Sequence, residues 1–336
     1  MEYIAEYGIF FAKFMTVVIV FAVIIGGLFI MLFRSKDGLD GHFNITNLNQ
    51  KYKTINFMLK SQTMPRHEFK KFAKEQKTED KKKEKEEKKG KIPEDTAAHN
   101  KLYVLRFRGD IRATEVSSLR EEITAVLNVA ETGDEVLVVL ESAGGTVHGY
   151  GLAASQLKRI RDKNVHLTVA VDKVAASGGY MMACVANRII AAPFAIIGSV
   201  GVLAQIPNFN RLLKKHDIDF EQISAGEYKR TLTLFGENTD KDRRKMKEEL
   251  EETHHLFKEF IRENRQQVDI DKIATGEHWY GRKAIELKLV DELMTSDAYL
   301  TSAVSRSDIY EIAYIRKKPI SEKLFSFGVR LMDHFQ

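Results

Sequence analysis

The sequence predicts an α/β domain with a largely parallel sheet, and two observations lead to this fold class. Strand-like and helix-like runs alternate along the chain between residues 100 and 300. Two of the strand-like runs are each followed by a loop with a Gly-Gly pair, at Ser142–Gly145 and Ala176–Gly179. In a parallel sheet such loops lie at the carboxyl ends of the strands, where ligand sites form.

The individual elements follow from the spacing of apolar residues. Short runs rich in β-branched and aromatic residues predict strands over Leu102–Phe107, Glu135–Glu141, His166–Val171, Arg188–Ala191, Val200–Ala204 and Ile218–Ile223. Longer patterned runs predict helices over Glu115–Ala130, Val147–Lys163, Gly178–Ala186, Asn208–His216, Asp240–Val268 and Gly281–Leu287. We therefore place one globular domain at residues 100–300. The C-terminal tail, 301–336, contains a candidate subunit contact at Leu324–Phe335.

The composition limits the classes of function. A chain of 336 residues can form one sizeable domain with accessory segments. Its single cysteine, Cys184, excludes an intramolecular disulfide framework and a cysteine-rich metal site. The net charge is only +5, without a basic stripe interleaved with aromatics, so we expect no nucleic-acid partner. We also expect no cofactor and no metal. His254 and His255 lie in an acidic helix, where a solvated face is a better explanation than a metal site.

An apolar run near the N-terminus predicts a membrane anchor. Residues Phe14–Phe33 carry no charge over 20 positions, which at about 1.5 Å per residue matches a hydrocarbon core of about 30 Å. A cleaved signal peptide is the alternative, but the run is long for one and no small-x-small cleavage site follows it. We expect a short tail at 1–13, a single transmembrane helix at 14–33, and the lipid bilayer as a partner.

Residues 34–99 are expected to form a juxtamembrane segment and a charged linker. The tract Lys74–Lys91 is nearly all Lys, Glu and Asp, so it cannot bury a core. Its Glu and Lys residues four apart favour a solvated helix. We interpret it as a spacer that holds the globular domain away from the membrane, with contact to anionic lipid as the alternative.

Ser177 is the leading candidate for a nucleophile. It stands between Ala175-Ala176 and Gly178-Gly179, at a turn from a strand to a helix. Such a turn exposes the hydroxyl beside free backbone N–H groups and the positive end of a helix dipole. Acyl-transfer chemistry needs a nucleophile next to donors that hold an oxyanion. This segment alone is equally compatible with a helix-capping serine beside a close-packed glycine pair.

Three further segments carry candidate site residues. The Gly144-Gly145 turn fits an oxyanion hole better than a phosphate loop, since neither phosphate-loop spacing is present. Ser199 lies between two glycines in an apolar segment, where a hydrogen-bonded core serine is the alternative. Lys229 follows a glycine turn, and judged alone it would be an ordinary surface lysine.

Together these segments resemble the signal peptide peptidase A family of membrane-bound serine peptidases, and the N-terminal extension resembles its SohB branch. The resemblance covers Leu102 to about Leu293 and rests on five motifs in the same order: ESAGGTV, DKVAASGGYMMAC, IGSVGV, SAGEYK and WYGRKAIELKLVDEL. The chain departs from the family at Ala143, where proline is common, and at Lys288, where glycine is usual. The resemblance implies a ClpP/crotonase-like fold.

The resemblance also implies the roles of the site residues. Ser177 matches the nucleophile and Lys229 the general base of a Ser–Lys dyad, while Ser199 matches a hydroxyl that orients the lysine amine. Gly144, with the N–H groups at Ser177 or Gly178, matches the oxyanion hole. A lysine must be neutral to accept the serine proton, and burial among apolar groups lowers a lysine pKa. The implied substrates are hydrophobic peptides such as remnant signal peptides, and the implied assembly is a ring-like homo-oligomer.

Two alternatives share the same fold. A crotonase-type acyl-CoA enzyme would use two backbone N–H groups without a Ser–Lys dyad, and an inactive membrane scaffold would keep the fold without the chemistry. The presence of Ser177, Ser199 and Lys229 argues against both. The resemblance places a single-pass protein in the bacterial inner membrane with its catalytic domain on the periplasmic side. The positive charges after the span, such as Arg34 and Lys36, favour the cytoplasmic side instead.

Overall fold

The computed structural model describes residues 8, 10–11, 13–21, 41–88 and 100–316. Residues 13–21 are helical. Within these ranges, we find no helix with both the length and the apolar character needed to cross a membrane. The rest of the predicted span, residues 22–33, lies outside the described residues, as does the predicted contact at Leu324–Phe335.

The described elements are numbered here in chain order. The strands are β1 (Gly41–Asn47), β2 (Asn100–Gly109), β3 (Glu135–Ser142), β4 (His166–Val171), β5 (Val174–Ala176), β6 (Arg188–Ala191), β7 (Ile196–Gly198), β8 (His278–Tyr280), β9 (Glu292–Leu293) and β10 (Ser307–Arg316). The helices are α1 (Leu48–Thr63), α2 (Arg66–Lys88), α3 (Val116–Val129), α4 (Val147–Asp162), α5 (Gly178–Ala183), α6 (Asn210–Lys215), α7 (Asp240–Asn264), α8 (Ile270–Ile273), α9 (Gly281–Glu286) and α10 (Ser296–Ala303).

The described strands form one ten-stranded sheet, whose main row has the order β1-β10-β2-β3-β4-β6-β9. From β10 to β9 the neighbours in this row run parallel. Strand β5 branches from the row by pairing in parallel with both β3 and β7. Strand β7 in turn pairs antiparallel with β8. The prediction of an α/β domain with a mostly parallel sheet is confirmed.

The two faces of the sheet are both buried, which explains why the central strands are apolar without interruption. Side chains alternate between the faces along a strand. In β2, Tyr103, Leu105 and Phe107 join the core cluster that includes buried residues of α3, α4 and α5. Leu102 and Val104, on the other face, pack in a second cluster with residues of α10.

The register of the sheet gathers four strand ends at one place. Gly109 at the end of β2 lies beside Ser142 at the end of β3. Ser142 lies beside Ala175 of β5, and Ala176 lies beside Gly198 at the end of β7. Because these strands are parallel, the loops that follow them emerge at the same edge of the sheet.

The body of the protein extends beyond the predicted domain of residues 100–300. Strand β1, within the predicted linker, lies next to β10, within the predicted tail, and β10 pairs with β2. Asn49 reinforces this arrangement, since its side chain accepts from the N–H of Ile309 at 2.7 Å and donates to the carbonyl of Ser307 at 3.0 Å. The sequence gives no local signal for the pairing of β10, because the charged helix and the whole domain separate it from β1, and most of the domain separates it from β2. This arrangement could therefore not be predicted.

Two predicted strands, Val200–Ala204 and Ile218–Ile223, are wrong. Apart from Val200, both lie in a segment, residues 201–239, whose only regular element is α6. Val200 is fully buried, but most of their other apolar residues are exposed, with Leu203 at 76% and Ile223 at 97%. A short apolar run predicts a strand only if a neighbouring strand is there to pair with it, and none of the described strands pairs with these residues.

Candidate active site

Ser177 occupies the turn that the sequence predicted for it. Strand β5 ends at Ala176 and helix α5 begins at Gly178, so Ser177 is the single residue between them. It takes the unusual backbone angles φ 51° and ψ −118°. A positive φ is strained for a residue with a side chain, and such strain concentrates at functional sites. A sharp turn of this kind presents the serine hydroxyl at the end of the sheet.

The Gly144-Gly145 turn packs directly against Ser177. A Cβ added at Gly144, whose φ is +91°, would lie 2.8 Å from the Cβ of Ser177 and 2.8 Å from the backbone N of Gly178. A Cβ added at Gly145 would lie 2.1 Å from the carbonyl oxygen of Ile111. Both positions therefore require glycine, because the turn is held between the Ser177 turn on one side and the loop after β2 on the other.

The hydrogen bonds of this region decide which N–H groups are free for a substrate. The N–H of Gly144, the predicted oxyanion donor, donates to Ser142 Oγ at 3.0 Å. The N–H of Ser177 donates to the carbonyl of Gly198 at 2.7 Å. Within the described part of the chain, the N–H groups of Gly145 and Gly178 have no protein acceptor. The second glycine of the pair, rather than the first, thus has the available donor.

Ser199 follows β7 and also has a positive φ, of 52°. Its N–H donates to the carbonyl of Glu277 at 2.7 Å, and its Oγ makes a long contact of 3.4 Å with the carbonyl of Gly276. The bond from the N–H of Ser177 to Gly198 fixes the two serine turns relative to each other. The hydroxyl of Ser199 is therefore only weakly engaged and is available to a further group.

These residues surround one cavity of about 710 Å³. Ser177, Gly178, Gly144, Gly145 and Ser199 all line it. Its other walls include the apolar side chains of Ile111, Val147, Met181, Val202, Leu203 and Phe257. A pocket with apolar walls and a few convergent polar groups is the usual form of a binding site.

Lys229 does not line this cavity. It is exposed, in the irregular part of the 201–239 segment, where its N–H donates to the carbonyl of Gly226 at 3.2 Å. It borders a separate cavity of about 590 Å³ whose apolar lining includes Ile206, Phe220, Ile223, Leu234 and Phe235. The single chain therefore brings four of the five predicted site residues together and leaves the lysine apart.

The other candidate groups for chemistry are the single cysteine and three histidines. Burial raises the pKa of the Cys184 thiol to about 12, so it is not a thiolate nucleophile at neutral pH. His148, the histidine nearest in sequence to the Gly-Gly turn, is exposed. Within the described ranges, no three His, Cys, Asp or Glu side chains are arranged to hold a metal ion. His255 lies on an exposed helix face with its Nδ1 3.5 Å from Glu259, whereas His254 is half-buried and its Nε2 has no hydrogen-bond partner within the described residues, so the solvated face predicted for both includes only His255.

Tyr150, which the sequence did not identify as a site residue, is fully buried beneath the site. Its Oη donates to the carbonyl oxygen of Asp110 at 2.8 Å and lies 2.5 Å from Ser142 Oγ. Burial raises the pKa of the Tyr150 hydroxyl, so that it remains a donor. A buried aromatic residue on an amphipathic helix has the pattern of an ordinary core residue, so the sequence held no signal of this contact.

Comparison with known proteins assigns the family. The model of the Peptidase family S49 N-terminal region matches residues 2–157, and the model of Peptidase family S49 matches residues 159–309. "Probable protease SohB" of Haemophilus influenzae is 49% identical over 331 residues, covering 96% of this chain and 92% of the relative. "Probable protease SohB" of Buchnera aphidicola subsp. Schlechtendalia chinensis is 48% identical, covering 90% of this chain and all (100%) of the relative.

Among solved structures, a mutant of the 1510-N membrane-bound stomatin-specific protease in complex with a substrate peptide matches at a TM-score of 0.41 and 15% identity. That match covers 68% of this chain and 98% of the other. The family rests instead on the two sequence models, which together match nearly all residues from 2 to 309, and on relatives of similar length. The chain therefore belongs to peptidase family S49 and is a serine peptidase.

Proposed function

We propose that this peptidase cleaves peptide bonds with Ser177 as nucleophile and Lys229 as general base. The observation that carries the proposal is the position of Ser177, at a strained turn in a cavity that it shares with two unengaged N–H groups. Because the chain belongs to a serine peptidase family, we exclude the alternative of a crotonase-type acyl-CoA enzyme. Fluorophosphonate labelling tests the other alternative, an inactive membrane scaffold.

The proposed chemistry requires Lys229 to reach the cavity that holds Ser177. Ser177 Oγ attacks the carbonyl carbon of the scissile bond while its proton passes to the neutral amine of Lys229. The oxyanion accepts hydrogen bonds from the N–H groups of Gly145 and Gly178. The tetrahedral intermediate collapses as the lysine ammonium returns the proton to the leaving amine, and water then hydrolyses the acyl-enzyme by the same route. Gly144 shapes the turn, and its N–H is already bonded to Ser142.

Lys229, the proposed base, does not line the cavity of Ser177 in the single chain, so it must be brought there. We propose that Lys229 is supplied by a neighbouring copy of the chain in a homo-oligomer. Two features of the 201–239 segment support this: the lysine lines a separate cavity, and the surrounding apolar side chains, such as Ile223, are exposed. At the interface the amine would be removed from water, which favours its neutral form. Ser199, with its weakly engaged hydroxyl, would then orient the amine.

Hydrophobic peptides, such as remnant signal peptides, are the proposed substrates. The support is the apolar part of the cavity wall, where Met181, Val202 and Phe257 would contact substrate side chains. Each apolar side chain that a substrate buries there contributes about 1.5–3 kcal/mol. Peptides with leucine next to the scissile bond should therefore be cleaved faster than peptides with aspartate there.

Membrane attachment is also proposed, through Phe14–Phe33 in a bacterial inner membrane, with the catalytic domain in the periplasm. The support is the charge-free run of 20 residues. Carbonate extraction should leave the full chain in the membrane fraction, and a mature N-terminus beyond Phe33 would instead identify a cleaved signal. Protease added to cells with an opened outer membrane should degrade the domain, whereas protection until the inner membrane is broken would place it in the cytoplasm.

Fluorophosphonate labelling of the full chain in detergent tests the nucleophile. The wild-type chain should be labelled covalently, and Ser177→Ala should abolish both labelling and hydrolysis of unfolded casein. Ser155→Ala is the matched control, since Ser155 is an exposed serine on α4 bonded only to the carbonyl of Gly151. Labelling that persists in Ser177→Ala would remove the assignment, and an unlabelled, inactive wild type would favour the scaffold.

A further inference from the structure

A buried chain of hydroxyl groups lies behind the Gly144-Gly145 turn. Tyr150 Oη donates to the carbonyl of Asp110, so the 2.5 Å contact with Ser142 has the serine hydroxyl as donor. Ser142 Oγ in turn accepts the N–H of Gly144 at 3.0 Å. Tyr150 is 0% exposed and Ser142 is 2% exposed, so water does not compete for these bonds.

This chain of bonds holds the Gly145 N–H from both sides. On the N-terminal side, Ser142 fixes the orientation of Gly144, the residue whose carbonyl carbon is bonded to the Gly145 nitrogen. On the C-terminal side, the N–H of Thr146 donates to the carbonyl of Ile111 at 2.8 Å. Ile111 follows Asp110, which Tyr150 binds. Both restraints on the turn therefore pass through the Tyr150 hydroxyl.

The ring of Tyr150 touches the other donor as well. A Cβ added at Gly178 would lie 2.4 Å from Cγ of Tyr150, so the backbone of Gly178 rests on the ring. A Cβ added at Gly109 would lie 2.2 Å from the Tyr150 hydroxyl, so the end of β2 is equally close. One side chain thus contacts the backbone of Gly178 by its ring and restrains the Gly145 turn by its hydroxyl.

We propose that Tyr150 is a positioning residue for the oxyanion hole, acting through Ser142 and the Asp110–Ile111 loop to fix the spacing of the Gly145 and Gly178 N–H groups. The inference rests on the proposed function, because it takes these two groups as the oxyanion donors. Tyr150 is not among the residues that line the cavity, so its effect on catalysis is indirect. Donors stabilise an oxyanion only when they are held near hydrogen-bond distance of its position.

Tyr150→Phe and Ser142→Ala test the proposal in the full chain in detergent. Each removes one hydroxyl, and Tyr150→Phe keeps the ring against Gly178. Each should lower kcat for a quenched leucine-containing peptide about 10- to 100-fold with KM unchanged, which is less than the ~10²–10³-fold cost of deleting an oxyanion donor. Affinity for a peptide boronic acid, whose tetrahedral adduct puts an oxygen in the oxyanion position, should fall by the same factor.

Tyr180→Phe is the matched control. Tyr180 is also 0% exposed and also donates to a backbone carbonyl, that of Leu289 at 3.0 Å, but has no hydrogen bond to the Gly-Gly turn. It should lose comparable thermal stability and keep its kcat. Equal kcat in Tyr150→Phe and wild type, with Ser177→Ala inactive, would overturn this inference and leave the proposed function standing. Full activity in Ser177→Ala would overturn both.

Discussion

The turn at Ser177 and the segment around Lys229 are built in opposite ways. Ser177 lies where four parallel strands end, with its N–H bonded to Gly198 and its backbone packed against Gly144. Lys229 lies in a segment with little regular structure, most of whose apolar side chains are exposed. The proposed nucleophile and oxyanion donors are thus fixed by the fold of one chain. The proposed base lies in a segment that remains exposed to solvent in the single chain.

The contrast separates two requirements of a serine peptidase. The oxyanion hole depends on backbone geometry, which a buried sheet edge supplies at no reorganisation cost. A lysine base depends on removal from water, which an exposed segment cannot supply until something covers it. If a second copy provides that cover, assembly and activity are coupled.

Lys229→Arg tests the base most severely. Arginine keeps the positive charge but stays protonated at any workable pH, so it cannot accept the Ser177 proton. Activity on casein should fall about 10⁴-fold or more, as for loss of a nucleophile–base pair in other serine peptidases. Lys215→Arg, on α6 of the same exposed segment, should retain activity. An active Lys229→Arg chain would show that the base lies elsewhere.

Mixing two inactive variants tests whether the dyad forms between copies. Co-expressed Ser177→Ala and Lys229→Ala chains should regain activity well above either alone, because some interfaces then contain both intact residues. Ser177→Ala mixed with the Ser177→Ala/Lys229→Ala double variant should stay inactive. If the first mixture is also inactive, while the variants still co-purify, Lys229 must reach Ser177 within its own chain.

Ile223→Asp should weaken the contact between copies. Ile223 is 97% exposed, so an aspartate costs the folded monomer little but places a charge in any apolar interface. We expect a smaller assembly by light scattering and an activity loss of about 10-fold at low protein concentration, partly recovered at high concentration. Val129→Asp, at an exposed apolar residue outside the segment, should change neither quantity. Unchanged mass and activity in Ile223→Asp would exclude this surface as the contact.

Ser199→Ala should have a moderate effect on catalysis. Its hydroxyl orients the neutral amine in the proposed mechanism but makes no bond to substrate, so kcat should fall about 10-fold, which is the upper end of the cost of one lost hydrogen bond between neutral groups. Fluorophosphonate labelling of Ser177 should slow by a similar factor while thermal stability is kept. A wild-type rate in this variant would leave Ser199 without a role in the site.

Glu122→Gln tests the pH dependence of stability that arises from one buried carboxyl group, outside the proposed site. Desolvation raises the pKa of Glu122 to about 7, although its carboxylate accepts the N–H of Tyr314. An acid whose pKa is raised by folding destabilises the protein as pH rises from its unfolded value, near 4.5, through its folded value. The wild-type chain should therefore lose about 2–3 kcal/mol of unfolding free energy between pH 5 and pH 8.

In Glu122→Gln this loss should disappear, because the amide does not ionise and can still accept the Tyr314 N–H. Urea unfolding at the two pH values measures it. Identical pH dependence in the variant and the wild type would show that Glu122 is not the titrating group.

The sequence predicted the parts of the site that depend on local residues. The small residues around Ser177 and the Gly-Gly pair require a tight turn, and the structure has one at each place. The choice between Gly144 and Gly145 as donor could not be predicted, since it depends on the direction of the Ser142 hydroxyl. The pairing of β1 with β10 was equally hidden, because each strand needs a partner far away in sequence.

The place of β10 in the sheet has a consequence for biosynthesis. This strand is the last described element of the chain, yet it lies between β1 and β2, two of the earliest. A growing chain therefore carries β2 with an unpaired edge until residues 307–316 have been made. Unpaired strand edges promote aggregation, and contacts so distant in sequence form slowly. Truncated chains that stop before Ser307 should consequently depend on chaperones or be degraded.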